Sequence, residues 1–553
     1  MGYEFYLTGS LEKVFPAKKP AAMQCGEKVC ILKGEIPAVQ LVYYREAGAE
    51  IKKFEIGVSG FPGEVRLRDV ELVPSAFPCF DAVDDNYLTT EPGLFPDLLQ
   101  KKKDNLIMPL LRQYRAVWID FPETAEVSAG EYQVEVKITE EGSGEEAAVL
   151  SYVIKVSEAV LPEQTLIHTE WFHTDCIADY YHLEVFSEAH WEAVEKQMAA
   201  ASYLGINMLL TPVFTQPLDT AVGGERTTVQ LVDMTYLNGV WSFDFTKLEK
   251  WCSLCRKHGI KYLEIAHLFT QWGAKATPKI IVTTENGPEK MFGWHVSALD
   301  PAYRSFLEAF LPALQQELIG QGFDQEHVIF HISDEPGMHV MESYQAARNV
   351  VLDLLEGWKI FDALSDYDFY EKGIVENPIP SNDHIQKFVD HGVKDLWTYY
   401  CCGQTVDVPN RFFVMPSARN RIMGVLMYLY DIKGFLQWGF NFYNASLSRF
   451  HLDPYFDTHA NYAFPSGDAF LVYPGPDGEP LHSVRGEVQK QGLADLRALQ
   501  YLESRIGRAA VEELIYEGCE EVPFTFRRYP KEASWIYDLR RRIASEIEKT
   551  EGC

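Results

Sequence analysis

The chain has 553 residues, of which 47% are hydrophobic and 24% are charged, and its formal net charge is −30. This length predicts two or three domains with ample core, and the composition is that of a globular protein. The negative charge argues against nucleic acid as a partner, because phosphate binding requires positive charge. No apolar run approaches the roughly 18 residues of a membrane span. Residues 1–6 carry no basic region followed by an apolar stretch, so we expect a cytoplasmic protein without a signal peptide.

Residues 1–160 alternate short strand-like segments with turn signals. Short strands at this spacing, with few helical patterns between them, predict an N-terminal β-sandwich domain. No catalytic constellation stands out in this part. The predicted strands are Val29–Leu32, Ala38–Tyr44, Ile51–Val58, Glu64–Leu72, Ala116–Asp120, Tyr132–Ile138 and Val149–Val156.

From about Leu161 the pattern changes to alternating strands and helices. Repeated βα units predict a (β/α)₈ TIM-type barrel over residues 161–505. Residues 506–553 are charged and amphipathic, which predicts a helical extension packed on that barrel. The predicted elements are helix Ser187–Leu204, strand Ile206–Thr211, helix Phe245–His258, strand Tyr262–Ala266, a helix opened by Asp300-Pro301, helix Ser343–Gly357, strands Lys359–Leu364 and Asp395–Tyr400, and apolar runs at Ile422–Tyr430 and Gly434–Phe442.

The ten cysteines do not indicate a disulfide framework. One CxxC pair, Cys252 and Cys255, lies in an apolar pattern of helical spacing, so we interpret it as helix packing rather than a metal or redox site. Cys401 and Cys402 follow a predicted strand and are interpreted as packed thiols.

The segment His327–Gly337 is the most informative stretch of the chain. An apolar strand ends in Asp334 and Glu335, and Pro336 is expected to hold Glu335 in an extended backbone. The carboxyl ends of barrel strands carry the chemistry of such folds, and neighbouring carboxylates raise one another's pKa. A carboxylic acid that stays protonated near neutral pH is what a glycosidase needs to protonate a leaving oxygen. A solvated turn at the strand end remains the alternative interpretation.

Aromatic and polar residues recur at successive predicted strand ends. Sugar rings pack their apolar faces on aromatic planes, while amides and hydroxyls bind their edges. Each aromatic residue alone is more often core, but the recurrence favours substrate contacts. The candidate substrate-binding residues are Trp171, His173, Asp175, Trp294, Tyr399, Trp438 and Asn441.

Two groups of residues have the chemistry of metal ligands without a known ligand spacing, so we predict no metal and no cofactor. They are His173 with Asp175, and His451 with Asp453, Asp457 and His459.

Adjacent carboxylates restrict the mechanism. A retaining glycosidase with a protein nucleophile needs two carboxyl groups about 5 Å apart on opposite sides of the scissile bond, which neighbouring residues cannot easily provide. No Glu stands between Glu376 and Glu479, so a late-strand nucleophile would be an aspartate. The simpler solution is a 2-acetamido sugar whose own amide oxygen attacks the anomeric carbon, while one acid protonates the leaving oxygen and its neighbour orients the amide. The aspartates that keep the first alternative open include Asp366, Asp431 and Asp468.

Residues 331–337, 171–176 and 437–441 together resemble glycoside hydrolase family 123. That family consists of β-N-acetylgalactosaminidases with a β-sandwich before a (β/α)₈ barrel. The resemblance implies Glu335 as general acid/base and Asp334 as the residue that orients and stabilises the acetamido group. It further implies retaining, exo-acting release of terminal β-linked N-acetylgalactosamine from glycans, and no metal. The family's known substrates include glycosphingolipid-type glycans, whereas the absence of a signal peptide favours imported oligosaccharides or another aminosugar preference.

Two other hypotheses stay open. One is a barrel glycosidase that uses an aspartate nucleophile and accepts β-glycosides without an acetamido group. The other is a glycan-binding protein without catalytic activity. The sequence does not distinguish N-acetylgalactosamine from N-acetylglucosamine, because that choice depends on contacts to the C4 hydroxyl.

Overall fold

The computed structural model describes residues 2–551. By its internal contacts the chain divides into two compact units. The first contains Met1–Gln164, Thr405–Tyr430 and Leu481–Cys553, and the second contains Thr165–Gln404 and Asp431–Pro480. The division near residue 164 lies close to the predicted change from strands to βα units.

The regular elements are numbered here in chain order. The strands are β1 Tyr3–Gly9, β2 Lys28–Lys33, β3 Ala38–Arg45, β4 Phe54–Ser59, β5 Arg66–Ser75, β6 Gly93–Lys101, β7 Leu106–Ile107, β8 Arg115–Asp120, β9 Gly130–Glu140, β10 Glu146–Val160, β11 Ile167–Glu170, β12 Met208–Thr211, β13 Asp233–Leu237, β14 Val240–Asp244, β15 Tyr262–Ile265, β16 Ile280–Thr284, β17 Gly287–Phe292, β18 Val328–Phe330, β19 Lys359–Ala363, β20 Asn377–Ile379, β21 Trp397–Tyr399, β22 Gly434–Gln437, β23 Tyr473–Pro474 and β24 Pro480–Leu481. The α-helices are α1 Thr174–Tyr181, α2 Glu188–Tyr203, α3 Thr246–Lys257, α4 Pro301–Gly320, α5 Met341–Val351, α6 Asp368–Glu371, α7 Ile385–Asp390, α8 Ser417–Arg421, α9 Met423–Leu429, α10 Val484–Ile506, α11 Arg508–Tyr516 and α12 Ala533–Glu551.

Two five-stranded sheets form the β-rich part of the first unit. Their strand orders are β1-β3-β8-β5-β6 and β2-β10-β9-β4-β7. Leu41 and Val117 of the first sheet share one buried core with Ile56 and Ile154 of the second, so the inner faces of the two sheets are packed together. All seven predicted strands of this region are present, whereas β1, β6 and β7 were not predicted.

The first sheet is buried on both faces, because successive side chains of a strand point to opposite sides. Val42 and Trp118 turn away from the shared core and pack with Val488 of α10 and Ile536 of α12. The helix α12 also contacts β2 and β10. The described part of residues 506–553 therefore packs on the β-rich region, and its packing on the barrel stays a prediction.

The second unit contains an eight-stranded parallel sheet that is nearly closed into a barrel, with the strand order β20-β19-β18-β15-β12-β11-β22-β21. A parallel bridge between Ser381 and Tyr399 connects the two ends of this sheet. Met208, Ile329 and Trp397, from strands around the sheet, share one core cluster. A separate four-stranded sheet, β14-β13-β16-β17, consists of two insertions, β13 and β14 after β12, and β16 and β17 after β15. The prediction of repeated βα units is confirmed at the level of this barrel sheet.

Local signals fix several helices of the second unit. Ser187 and Asp300 cap α2 and α4 by accepting backbone N–H groups, and Pro301 occupies the first turn of α4. Cys252 and Cys255 are buried in α3, as predicted. Over residues 2–551 no described helix has both the length and the apolar character that crossing a bilayer requires.

Candidate active site

One cavity in the second unit lies at the carboxyl ends of the parallel strands. Its cavity volume is about 150 Å³. Parallel strands end at the same edge of a sheet, so the segments that follow them converge there. Trp171, Asp219, Trp272, Glu335 and Trp438 line the cavity and follow β11, β12, β15, β18 and β22.

Asp334 and Glu335 also line this cavity, and backbone hydrogen bonds hold them from two sides. The N–H of Trp272 donates to the carbonyl oxygen of Asp334 at 3.0 Å, and the N–H of Glu335 donates to that of Ala363 at 3.1 Å. Glu335 has a φ of 41°, in the left-handed region that non-glycine residues rarely adopt. The expectation that Pro336 keeps Glu335 extended is therefore wrong. Backbone strain of this kind is concentrated at functional sites, where the surrounding structure holds it.

Both carboxyl groups bind protons more tightly than ordinary acids. Burial raises the pKa of Asp334 well above its usual value, and the charge of Glu335 adds to this effect. Burial also raises the pKa of Glu335, although a hydrogen bond from the hydroxyl of Tyr399 to Oε1, at 2.5 Å, opposes the rise. By solvent accessibility Glu335 is exposed and Asp334 is half-buried, so the rise in both pKa values comes from protein atoms packed around the carboxyl groups rather than from complete exclusion of solvent. Neighbouring carboxyls with raised pKa values favour a state in which one proton remains on the pair.

A buried imidazolium precedes the dyad on the same strand end. The Nε2 of His331 lies 2.6 Å from Oε1 of Glu264, and its Nδ1 lies 3.5 Å from Oδ1 of Asp362. Burial alone would lower the pKa of His331, but the carboxylates of Asp362 and Glu264 outweigh it and raise the pKa to about 10. His331 is therefore charged at neutral pH, and its charge partly offsets the rise in the pKa of Asp334.

Four of the predicted contact residues line the cavity: Trp171, His173, Tyr399 and Trp438. The two indoles are fixed by carboxylates, because Trp171 Nε1 donates to Glu264 at 2.8 Å and Trp438 Nε1 donates to Asp468 at 2.9 Å. The ring planes of both tryptophans are thus set before any ligand binds. Tyr399 is buried, and its hydroxyl is engaged by Glu335.

Asp175 lies outside the cavity lining. It is completely buried, and Arg226 binds both of its oxygens at 2.7 and 2.8 Å. The same guanidinium lies 3.0 Å from Nδ1 of His173. Burial, together with the charge of Arg226, lowers the pKa of His173 to about 3. His173 is therefore a neutral group at the cavity wall, and Asp175 supports it through Arg226.

The remaining predicted residues lie away from the cavity lining. Asn441 is buried, accepts the N–H of His173 at 2.7 Å and donates to Gln197 at 3.0 Å. Trp294 lines a different depression of the second unit, together with Thr277. Asn441 thus stabilises the backbone of His173 in the cavity wall, and Trp294 lies at a separate surface.

Donors of metal-binding type occur together at His267, His331 and Asp362, whose ligand atoms lie within 4.8 Å of one another. Protein groups already engage two of them. His331 Nε2 contacts Glu264, and Asp362 Oδ1 accepts the N–H of Ile332 at 2.9 Å. Of the sequence candidates, Asp175 is occupied by Arg226, and His451 Nδ1 contacts Asn444 at 2.8 Å.

Several cavity residues were not among the candidate substrate contacts, namely Asp219, Gln271, Trp272, Cys401, Cys402 and Phe464. Asp219 and Trp272 have φ values of 40° and 56°, so strained backbone recurs around the cavity. Burial raises the pKa of Asp219 to about 6. Gln271 and Trp272 lie in the segment that follows β15, where polar and aromatic residues recur after a strand end as they do elsewhere in the barrel. Cys401 and Cys402, interpreted as packed thiols, are partly exposed and line the cavity.

Comparison with known proteins gave two similarities that span most of the chain. The family model described as glycoside hydrolase 123, catalytic domain, matches residues 171–502, more than half of the sequence. A family 123 glycoside hydrolase from Clostridium perfringens, studied for glycolipid glycan hydrolysis, has a similar structure with a TM-score of 0.72 at 15% identity. The similarity covers 99% of this chain and 97% of that one.

More distant solved structures include two β-glucuronidases. The enzyme from Dictyoglomus thermophilum has a TM-score of 0.32 at 8% identity, over 89% of this chain and 97% of that one. The enzyme from Ruminococcus gnavus has a TM-score of 0.29 at 11% identity, over 89% and 68%. A search of curated protein sequences found no match.

Proposed function

The chain belongs to glycoside hydrolase family 123, and from this premise we propose that it releases terminal β-linked N-acetylgalactosamine from glycans by retaining, substrate-assisted hydrolysis. The observation that carries the proposal is the adjacent pair Asp334 and Glu335 at the cavity surface, in which burial raises both pKa values. One proton on this pair gives an acid beside a carboxylate, the combination that substrate assistance uses.

In the first step Glu335 is the general acid. It protonates the glycosidic oxygen while the acetamido oxygen of the bound sugar attacks the anomeric carbon, and the bond to the leaving group breaks. Asp334 accepts the acetamido N–H and offsets the positive charge that develops on the oxazoline. Burial raises the pKa of Glu335, which favours the protonated form that a general acid needs.

In the second step Glu335, now a carboxylate, removes a proton from water as that water attacks the anomeric carbon. The oxazoline opens, the acetamido group is restored, and the product keeps the β configuration because two inversions have occurred. Tyr399 stabilises this carboxylate by the hydrogen bond to Oε1. The hydrogen bond thus favours the state that follows proton transfer.

The walls of the cavity suit a sugar ring. Trp171 and Trp438 present indole planes whose orientations are fixed by Glu264 and Asp468, and aromatic planes pack on the apolar faces of sugars. Trp272 is 46% exposed at the cavity and is available to the part of the glycan beyond the scissile bond.

The alternative of a protein nucleophile depends on an aspartate in the cavity. Asp366, Asp431 and Asp468 are absent from the lining, and Asp468 holds Trp438. Asp219 does line the cavity, and burial raises its pKa to about 6, so it is the carboxyl that a protein nucleophile would have to use. The placement of Asp366, Asp431 and Asp468 favours the substrate-assisted route.

The test compares 4-nitrophenyl β-glycosides of N-acetylgalactosamine, N-acetylglucosamine and galactose. We expect cleavage of the first and none of the galactoside, because galactose has no acetamido nucleophile. Cleavage of the galactoside would contradict the mechanism. A preference for N-acetylglucosamine would keep the mechanism and change the proposed specificity.

Two substitutions separate the roles within the dyad. Glu335→Gln should lose about 10²–10⁴-fold in kcat/KM on substrates with poor leaving groups, and much less on 4-nitrophenyl glycosides, which need little protonation. Asp334→Asn should lose activity on both substrate types. An equal loss on both types for Glu335→Gln would argue against its role as the acid.

A further inference from the structure

The catalytic cavity contains two thiols that the proposed hydrolysis does not use. We propose that Cys401 and Cys402 form a dithiol site that chelates trivalent arsenicals and thereby blocks the cavity. The ligand of this site differs from a sugar in its chemistry, because thiols bind soft, thiophilic elements such as arsenic.

The geometry of the pair carries this inference. Side chains of consecutive residues in a strand point to opposite faces, but these residues follow the end of β21 at Tyr399, and both residues line the same cavity. The interaction between the two neighbouring thiols shifts the pKa of each, and the two residues are consecutive in the chain, so the thiols lie close together. Gln404 Oε1 accepts the N–H of Cys401 at 2.8 Å, which fixes the backbone of the pair. Two adjacent sulfurs on a fixed turn can bind one atom together.

Cys401 and Cys402 are free thiols that form no disulfide, and both residues are partly exposed. Contact with Cys402, followed by burial, raises the pKa of the Cys401 thiol well above its usual value, and the pKa of Cys402 is also raised. Alkylating reagents require a thiolate, so this pair should react slowly with iodoacetamide. A trivalent arsenical reacts with the two neutral thiols by losing water and does not depend on a stable thiolate.

The reaction of phenylarsine oxide with the pair balances without an oxidant. Both S–H bonds and the bond between arsenic and oxygen break, and two As–S bonds form. The two protons leave with the oxygen as one water molecule. Neither arsenic nor sulfur changes its oxidation state.

Other cysteines of the chain provide internal comparisons. Cys252 and Cys255 are one helical turn apart in α3, but both are buried with no exposed surface, so the native protein should not bind the arsenical there. Cys25 is an exposed single thiol and can offer only one As–S bond. Losing the second bond should weaken retention on the order of 10²–10⁴-fold, the usual effect of linking two binding groups.

Chelation at this pair would also stop catalysis. Tyr399, two residues before Cys401, donates to Glu335, and both thiols share the cavity lining with the dyad. A phenylarsine group on the two sulfurs would occupy the space that the sugar needs. A bound sugar analogue should in turn protect the thiols.

The experiment measures phenylarsine oxide on the native, full-length protein by intact mass. We expect one arsenical per chain that survives washing with a monothiol, is removed by 2,3-dimercaptopropanol, and maps to the peptide with Cys401 and Cys402. Cys401→Ser and Cys402→Ser should each lose the retained adduct, while Cys25→Ser keeps it.

Several results would overturn the proposal: no retained adduct on the wild-type protein, retention by Cys401→Ser, or mapping of the arsenic to Cys252 and Cys255. Peptide mapping on the wild-type protein keeps the test decisive even if a serine variant fails to fold. Because the mass readout needs no substrate, its result is independent of whether the proposed hydrolysis is correct.

Discussion

Tyr399→Phe removes the hydroxyl that donates to Glu335 and keeps the buried ring. A hydrogen bond to a charged group contributes about 1.5–3 kcal/mol, and one pKa unit corresponds to about 1.4 kcal/mol. The hydroxyl stabilises the carboxylate, so its loss raises the pKa of Glu335. The alkaline limb of the pH profile of kcat/KM should therefore move about one to two pH units toward higher pH, because the acid form of Glu335 persists longer.

The assay should use a disaccharide with terminal β-linked N-acetylgalactosamine, since its alcohol leaving group depends on protonation. Tyr455→Phe is the matched control, because the Tyr455 hydroxyl donates to the carbonyl oxygen of Pro474 at 2.8 Å and does not line the cavity. The control should leave the alkaline limb in place. If Tyr399→Phe leaves the limb unchanged or moves it to lower pH, Glu335 is not the ionising group that limits the reaction.

Three further predictions concern carboxyl groups in or beside the cavity. Burial raises the pKa of Asp334 in the folded state, so the stability of the wild-type protein falls as the pH rises above the pKa of the unfolded state. Asp334→Asn should therefore increase the melting temperature at pH 7 but not near pH 4, with a gain in the free energy of unfolding of about 1.4 kcal/mol for each unit of raised pKa. An equal effect at both pH values in calorimetry would contradict this. Asp219→Asn should keep kcat within roughly tenfold of the wild-type value, whereas loss of a true nucleophile lowers kcat on the order of 10⁴-fold or more. Burst kinetics and trapping of a covalent intermediate in the wild-type protein would show that Asp219 is a nucleophile. Arg226→Met leaves the buried Asp175 charge without its partner and should cost about 3–5 kcal/mol in chemical denaturation, a loss that Arg226→Met combined with Asp175→Leu should largely recover.

Features that depend on local pattern were predictable from the sequence. Strand β3 and helix α4 follow from apolar periodicity and the cap at Asp300, and the position of Asp334 at a strand end follows from its apolar run. The pairing of Asp334 with Glu335 could be predicted without information about distant segments, because the two residues are consecutive.

Features that depend on contacts between distant segments were not predictable. The left-handed backbone of Glu335 is held by the carbonyl oxygen of Ala363, and its carboxyl group by the hydroxyl of Tyr399. Both partners are more than 25 residues away in the sequence. The burial of Asp175 requires Arg226, a residue on a segment without regular structure. Trp294 follows β17, a strand of the small separate sheet rather than of the barrel. The expectation that aromatic residues after barrel strands line the cavity therefore does not apply to it.

The discontinuous make-up of the first unit has a consequence for biosynthesis. Leu11 and Trp118 share a core with Val488 and Ile536, so the N-terminal sheets leave the ribosome long before the helices that cover them. At ordinary translation rates of 5–20 residues per second, the delay between the end of β10 at Val160 and the end of α12 at Glu551 is about 20 to 80 seconds. During that time an apolar sheet face stays uncovered, and the nascent chain should depend on chaperones until α12 is complete.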